Sequence, residues 1–360
     1  MASGLIPIKG ILTERILMDP GRKYTKGALA EKILSERKGA VLQNLIYSLN
    51  VTMPIFILMV LGYFLHSIGW IRDGFASKLN TFVFRLPLPL LVFQDLASVD
   101  IRKTWDGTYV LFCFLVTLFS ILLMALLSKF AVKDKPRRGE FVQAAYRSSA
   151  ALLGMAYISN MYQDTSMGPL MIVGAVPLYN VAAVVLLSVT AEDAQAKSGE
   201  DRSALAKRTI RNIFTNPILI GIFFGILWSL LRLPLSGIFA TTISNVARTA
   251  TPLGLIAMGA SIRLKDVGGQ LKPSLLAAFF KIVGLSAIFL PLAVMMGFRT
   301  QKLVSILVML GSPTTVSCFV MAKNMGHDGA LTANSVVFTT VLSSFTLTLW
   351  IWILKNAGLI

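Results

Sequence analysis

Residues 311–315 read Gly-Ser-Pro-Thr-Thr and stand in the middle of KLVSILVMLGSPTTVSCFVMA (302–322), a segment long and apolar enough to cross a bilayer. Ser-Pro is a helix-start signal. Ser312 can cap, and Pro313 can take the first helical position, where its missing N–H costs nothing. A helix that begins at mid-membrane aims free N–H groups and a positive dipole end at its surroundings, which suits an anion. Interrupted backbone in hydrocarbon leaves costly unpaired groups. A break at Gly311, Ser312, Pro313, Thr314 and Thr315 is therefore tolerable only inside protein or beside a water-filled cavity. For Pro313 taken alone, a simple kink is the rival reading.

A second segment repeats the pattern. RSSAALLGMA (147–156) places small and hydroxyl-bearing residues at mid-span and sets Arg147 beside Ser148 and Ser149. Ionisable residues inside spans are functional candidates by default. Here they are Arg85, Arg147, Arg248 and Lys281 against Asp95, with Glu140 at the start of a span. An interior richer in cations than carboxylates favours an anionic substrate. Asp95 is the convenient partner for a coupling proton or sodium ion, and Lys281 in AAFFKIVGL is a second candidate for coupling or support. Asn180 in LYNVAA can hydrogen-bond between helices or line the site. Arg85 and Arg248 can snorkel to an interface.

Hydrolytic chemistry would need paired aspartates, a serine with a base, or metal ligands. His66 and His327 fall near span ends, and Cys113 and Cys318 lie in apolar runs, so neither a metal cluster nor a disulfide framework is expected. The expectation is a non-enzyme with no catalytic residue, metal or cofactor.

The elements that must position these residues follow from composition. The 360 residues are 55% hydrophobic and only 14% charged, and the mean hydropathy of +0.71 lies far above that of a soluble domain. This is an all-α polytopic membrane protein. Ten spans are expected at 47–70, 76–97, 105–130, 139–162, 168–191, 214–234, 238–262, 274–298, 302–325 and 329–354. The net charge of +17 sits mostly in the tail and loops, which points to an anionic leaflet rather than to nucleic acid. Loops on one side collect sixteen Lys/Arg, from Arg72 to Lys323, against six on the other, from Arg102 to Lys355. The rich side is expected to be cytoplasmic, with both termini outside and the plasma membrane as the location. The basic tail, with eight positives, runs against that orientation.

The chain divides into a basic tail (1–45), a first five-helix repeat (46–191), a cytoplasmic linker (192–213) and a second five-helix repeat (214–360). Asn80 and Pro87-Leu88 in the second span recur as Asn245 and Pro252-Leu253 in the seventh. The polar breaks of the fourth and ninth spans correspond in the same way. Five spans per half, joined on one side, give opposite orientations. Inverted repeats with helices broken in matching places signal a secondary transporter.

MPIFILMVLGYFL (53–65), LPLPLLVF (86–93), VPLYNVAAVVLL (176–187), NPILIGIFFGILW (216–228), TPLGLIAMGASI (251–262) and GSPTTVSCFVMAKNMGHDGALTANSVVF (311–338) together resemble the auxin efflux carrier family. The resemblance implies ten helices as two inverted five-helix repeats, with the fourth and ninth crossing near mid-membrane. It also implies a scaffold plus a mobile unit, elevator-type movement, a homodimer and transport of organic carboxylates. The family's fourth helix usually carries an Asn and then a Pro at the crossing; Ser149 and Ala156 stand there instead. Two alternatives are a sodium-coupled carrier resembling the bile-acid symporters and a receptor that keeps a transporter fold without transporting.

Overall fold

The computed structural model describes residues 53–360 apart from 56, 99–104, 151–153, 163–166, 196–209, 212–213, 232, 234, 236 and 262–263. The tail expected at 1–45 and most of the linker expected at 192–213 lie outside the described residues. Among the described residues the chain is helical and has no strand. One isolated antiparallel bridge, Ser148 to Thr314, is present.

The helices track the apolar runs. After α1 (Met53–Ser67) come α2 (Asp73–Arg85) and α3 (Pro87–Ala97), parted at Leu86, because Pro87 has no N–H to continue the ladder and so starts a new helix. In α4 (Gly107–Ala131), 25 residues run uninterrupted, and the Asp106 side chain caps it by accepting from the Tyr109 N–H at 3.0 Å. Then follow α5 (Lys135–Tyr146), α6 (Met155–Met161), α7 (Met167–Gln195), α8 (Pro217–Leu231), α9 (Gly237–Arg248) and α10 (Ala250–Ser261). Next, α11 (Leu264–Phe279) passes through a π-helical turn, Phe280–Gly284, into α12 (Leu285–Met295). The chain closes with α13 (Thr300–Gly311), α14 (Ser317–Asn324) and α15 (Ala330–Asn356).

Among the described residues, four stretches are long and apolar enough to cross a membrane by length and composition: Gly107–Ala131, Met167–Ala191, Gln270–Met295 and Ala330–Asn356. The ranges read as the second, fourth, seventh and ninth spans are each split into two helices, at Leu86, at 147–154, at Thr249 and at 312–316. The second and seventh ranges, which share the Asn and Pro-Leu spacing, are therefore broken as well as the fourth and ninth. A correction concerns the helix start. The half-helix begins at Ser317, five residues later than Ser312, while Ser312 is extended (φ −72°, ψ 158°) at the end of α13. Pro313 and Thr314 are held out of helix by pairing with the fourth-span break.

Packing sorts the helices into two groups. Here α3 lies against α8 and α9, and α2 against α10, while α4, α5 and α7 pack together and α15 covers α5 and α11. In the first group a Cβ on Gly259 would fall 2.0 Å from the Met59 carbonyl oxygen, so α1 and α10 touch backbone to backbone. The outer faces are apolar. Leu111, Phe119, Leu122, Leu126 and Phe130 of α4 are all exposed, a surface suited to lipid rather than to water.

Candidate functional site at a helix crossing

The breaks in the fourth and ninth spans meet. The Ser149 N–H donates to the Pro313 carbonyl at 2.9 Å, beside the Ser148–Thr314 bridge. Two short extended segments thus run antiparallel between four half-helices, and extended backbone sends successive side chains to opposite sides. Ser148 and Thr314 are buried; Ser149 and Thr315 are half-exposed.

Helix ends inside a membrane must find partners for their last carbonyls. Each broken helix is capped by a hydroxyl from the other. The Thr314 hydroxyl donates to the Ala144 carbonyl of α5 at 2.7 Å, and the Ser148 hydroxyl donates to the Met309 carbonyl of α13, which also accepts from the Tyr179 hydroxyl at 3.1 Å. The next carbonyl, of Leu310, accepts from the Lys281 ammonium. Further ties run from the Gln143 amide to the Cys318 carbonyl (3.0 Å) and from the Thr314 N–H to the Thr339 hydroxyl (3.0 Å).

Beside the crossing lies a cavity enclosing about 610 Å³ of empty space, counting its mouth. Its lining includes apolar Leu88, Leu91 and Val92 of α3 and Val176 of α7, and polar Arg147, Ser149, Asn180, Thr315 and Ser317. Asp95 also borders it. Arg147 ends α5, and only 3% of it is exposed. Its guanidinium is held by the Asn180 side-chain oxygen at 2.5 Å and the Met321 sulfur at 2.7 Å. Among the described residues, no carboxylate forms an ion pair with it. A buried charge in that condition is costly, and an anion in the cavity is what would offset it.

Of the residues singled out in the sequence, the cavity brings together Asp95, Arg147, Ser148, Ser149, Asn180 and Thr315. Gly311, Ser312, Pro313 and Thr314 are buried in the crossing and do not line the cavity, and neither does Lys281, which is buried against the Leu310 carbonyl. Tyr179, Thr251 and Ser317 line the cavity without having been singled out. Tyr179 was legible only as a neighbour of Asn180. Glu140 was passed over as a span-start residue, yet it is buried and accepts from the Gly329 N–H (3.2 Å), the Thr332 N–H (3.3 Å) and the Thr332 hydroxyl (3.1 Å). It caps α15. Nearby, His327 bonds the Leu187 carbonyl at 2.9 Å, and burial pulls its pKa down, favouring the neutral ring.

A family model described as membrane transport protein matches residues 48–351. The chain belongs to this family, the auxin efflux carriers. Similar proteins include an uncharacterized transporter of Methanothermobacter thermautotrophicus, 21% identical over 84% of this chain and 97% of that one. A Rhizobium meliloti protein named as a candidate malonate transporter is 24% identical over 86% of this chain and 97% of its own. Among solved structures, the sodium proton antiporter MjNhaP1 of Methanocaldococcus jannaschii matches with a TM-score of 0.57, at 14% identity, over 88% of this chain and all of that one. At that identity the likeness is one of fold. The chain is thus an integral, multi-pass member of an auxin efflux carrier family whose relatives are transporters rather than enzymes.

Proposed function

We propose that this auxin efflux carrier family member is a secondary active transporter of a small organic anion, a mono- or dicarboxylate, and that Arg147, Ser149, Asn180 and Thr315 bind it. The observation that carries this reading is Arg147: a buried guanidinium, bordering a cavity, oriented by a neutral amide and without a carboxylate partner among the described residues. Asn180 fixes the fork in place and leaves its remaining donors for a ligand. Ser148, Ser312, Pro313, Thr314 and Gly311 act from behind, by holding the two breaks together.

The wider architecture of the proposal is ten spans as two inverted five-helix repeats, 46–191 and 214–360, joined by the 192–213 linker. The helix group built on α3, α8, α9 and α10 serves as scaffold, and the group around the crossing moves against it with the cavity between, as an elevator. Asp95, on the bordering helix α3, is the site for any coupling proton. The remaining parts are a homodimer in the plasma membrane with both termini outside.

Uptake of radiolabelled malonate, malate and indole acetate into proteoliposomes tests this. Saturable uptake of one of them, lost in Arg147→Gln while the protein stays folded, is the expected result. Equal uptake by the variant would remove Arg147 from the binding site, and no uptake of any carboxylate by folded, inserted wild type would remove the substrate class.

A further inference from the structure

The cavity gives a use for Arg147 and none for the second buried cation. Lys281 is fully buried on the π-helical turn Phe280–Gly284. Such turns disturb regular bonding and recur where a side chain is re-aimed for function. This one delivers the ammonium to the Leu310 carbonyl in the last turn of α13. No carboxylate among the described residues pairs with it. Its counter-charge is the helix end itself, with its negative dipole and last carbonyls.

The same helix end carries spare oxygen. The Ser286 and Ser312 hydroxyls are both fully buried and have no hydrogen-bond partner among the described residues. The Ser286 oxygen lies 3.0 Å from where a Cβ on Gly311 would stand, so it faces the last residue of α13. Packing alone does not call for a lysine here, since a methionine would fill the volume without desolvating a charge. In carriers with broken helices, half-helix C-terminal ends and unwound carbonyls are where a coupling sodium ion is held.

We propose that Lys281 is a tethered cation standing in that place, so that the crossing is stabilised without a sodium ion and the carrier works independently of sodium. This rests on the crossing being a transport site, and it narrows the coupling question by closing the sodium route at α13. It also implies a latent site. Removing the ammonium uncovers the Leu310 carbonyl with the Ser286 and Ser312 hydroxyls at one helix end, a set of hard oxygens suited to a small monovalent cation.

The test is thermal unfolding of the purified full chain in equal concentrations of sodium, potassium or choline chloride. Wild type is expected to melt at the same temperature in all three. Lys281→Ala should melt lower in choline and recover with sodium, saturably, by about 3 °C or more. Lys281→Met, which refills the space, should melt low in every salt. If Lys281→Ala cannot be recovered folded, Lys281→Ser takes its place and is judged alike. Saturable stabilisation of wild type by sodium over choline would overturn the proposal, as would a folded small-residue variant that is indifferent to the cation. Because no substrate enters this measurement, it is decided separately from the anion-uptake experiment.

Discussion

Ser148 and Ser149 are neighbours in sequence and meet opposite surroundings, and the same holds for Thr314 and Thr315. The even-numbered pair is buried and caps the ends of α5 and α13, with Ser148 also reaching the cavity lining; the odd-numbered pair is the more exposed and borders the cavity. On the closed face the Ala144, Met309 and Leu310 carbonyls at the helix ends each accept from a side chain of another segment, because an orphan there has no water to turn to. The cavity face keeps a guanidinium that lacks a counter-ion among the described residues. The difference separates stability from function at single-residue resolution: losses on the closed face should be paid in folding, and losses on the cavity face in transport.

The strongest way to break that comparison is Arg147→Gln. Uptake of whichever carboxylate is accepted should fall by roughly 100-fold, the equivalent of about 2.7 kcal/mol for a charge-assisted hydrogen bond. The melting temperature should stay the same or rise, since a desolvated charge has been removed. A variant that transports normally but melts several degrees lower would place Arg147 on the structural side.

Glu140→Ala is expected to give the opposite result. It strands the Gly329 and Thr332 N–H groups at the start of α15 and should cost about 3 kcal/mol of stability. Glu140→Gln, whose oxygen still accepts, should restore part of it. Unfolding in nanodiscs decides, and an alanine variant as stable as wild type would mean that water replaces the carboxylate.

A finer test uses the adjacent threonines. Thr314→Val keeps the shape and removes the donor to the Ala144 carbonyl, at a cost of about 1–2 kcal/mol. Thr315→Val should leave stability alone and weaken anion binding by a few-fold. Equal stability losses in both would erase the distinction between the faces.

How much of this was legible depended on which face a residue serves. Pro313 with flanking Gly311, Ser312, Thr314 and Thr315 announced an interruption because such residues are expensive in hydrocarbon, whatever lies beside them. Which of the five would face a cavity was not legible. It depends on extended backbone from 312 onward and a register set by Ser149, more than 160 positions away in the chain. The expected helix start at Ser312-Pro313 failed for the same reason, since local capping preference yielded to pairing across the crossing. Glu140 was missed because its meaning lies in Thr332, on another helix. Asn180 and Arg147 were each visible, but their pairing at 2.5 Å was not. The break at Thr249 carries no proline at the point of rupture and left little local signal.

The smallest expected effect lies outside the membrane-spanning helices, where the comparison should fade. Lys302 at the start of α13 pairs with Asp106 at the start of α4, at 2.5 Å, with both side chains partly exposed. The hydrogen bond from Lys302, followed by that from the Tyr109 N–H, holds the Asp106 carboxyl below its ordinary value of 3.8. A depressed folded-state pKa adds stability above the unfolded value and loses it as pH falls through the folded one, so the window opens below about pH 4. Exposure and salt screening keep the pair under about 1 kcal/mol. Lys302→Met should therefore flatten the acid side of the melting-temperature profile slightly and leave neutral-pH uptake unchanged. A variant that instead lost several degrees at neutral pH would show that this outer tie works like the buried caps. The contrast between wet and dry polar groups would then have to be redrawn around the whole crossing unit rather than around its cavity.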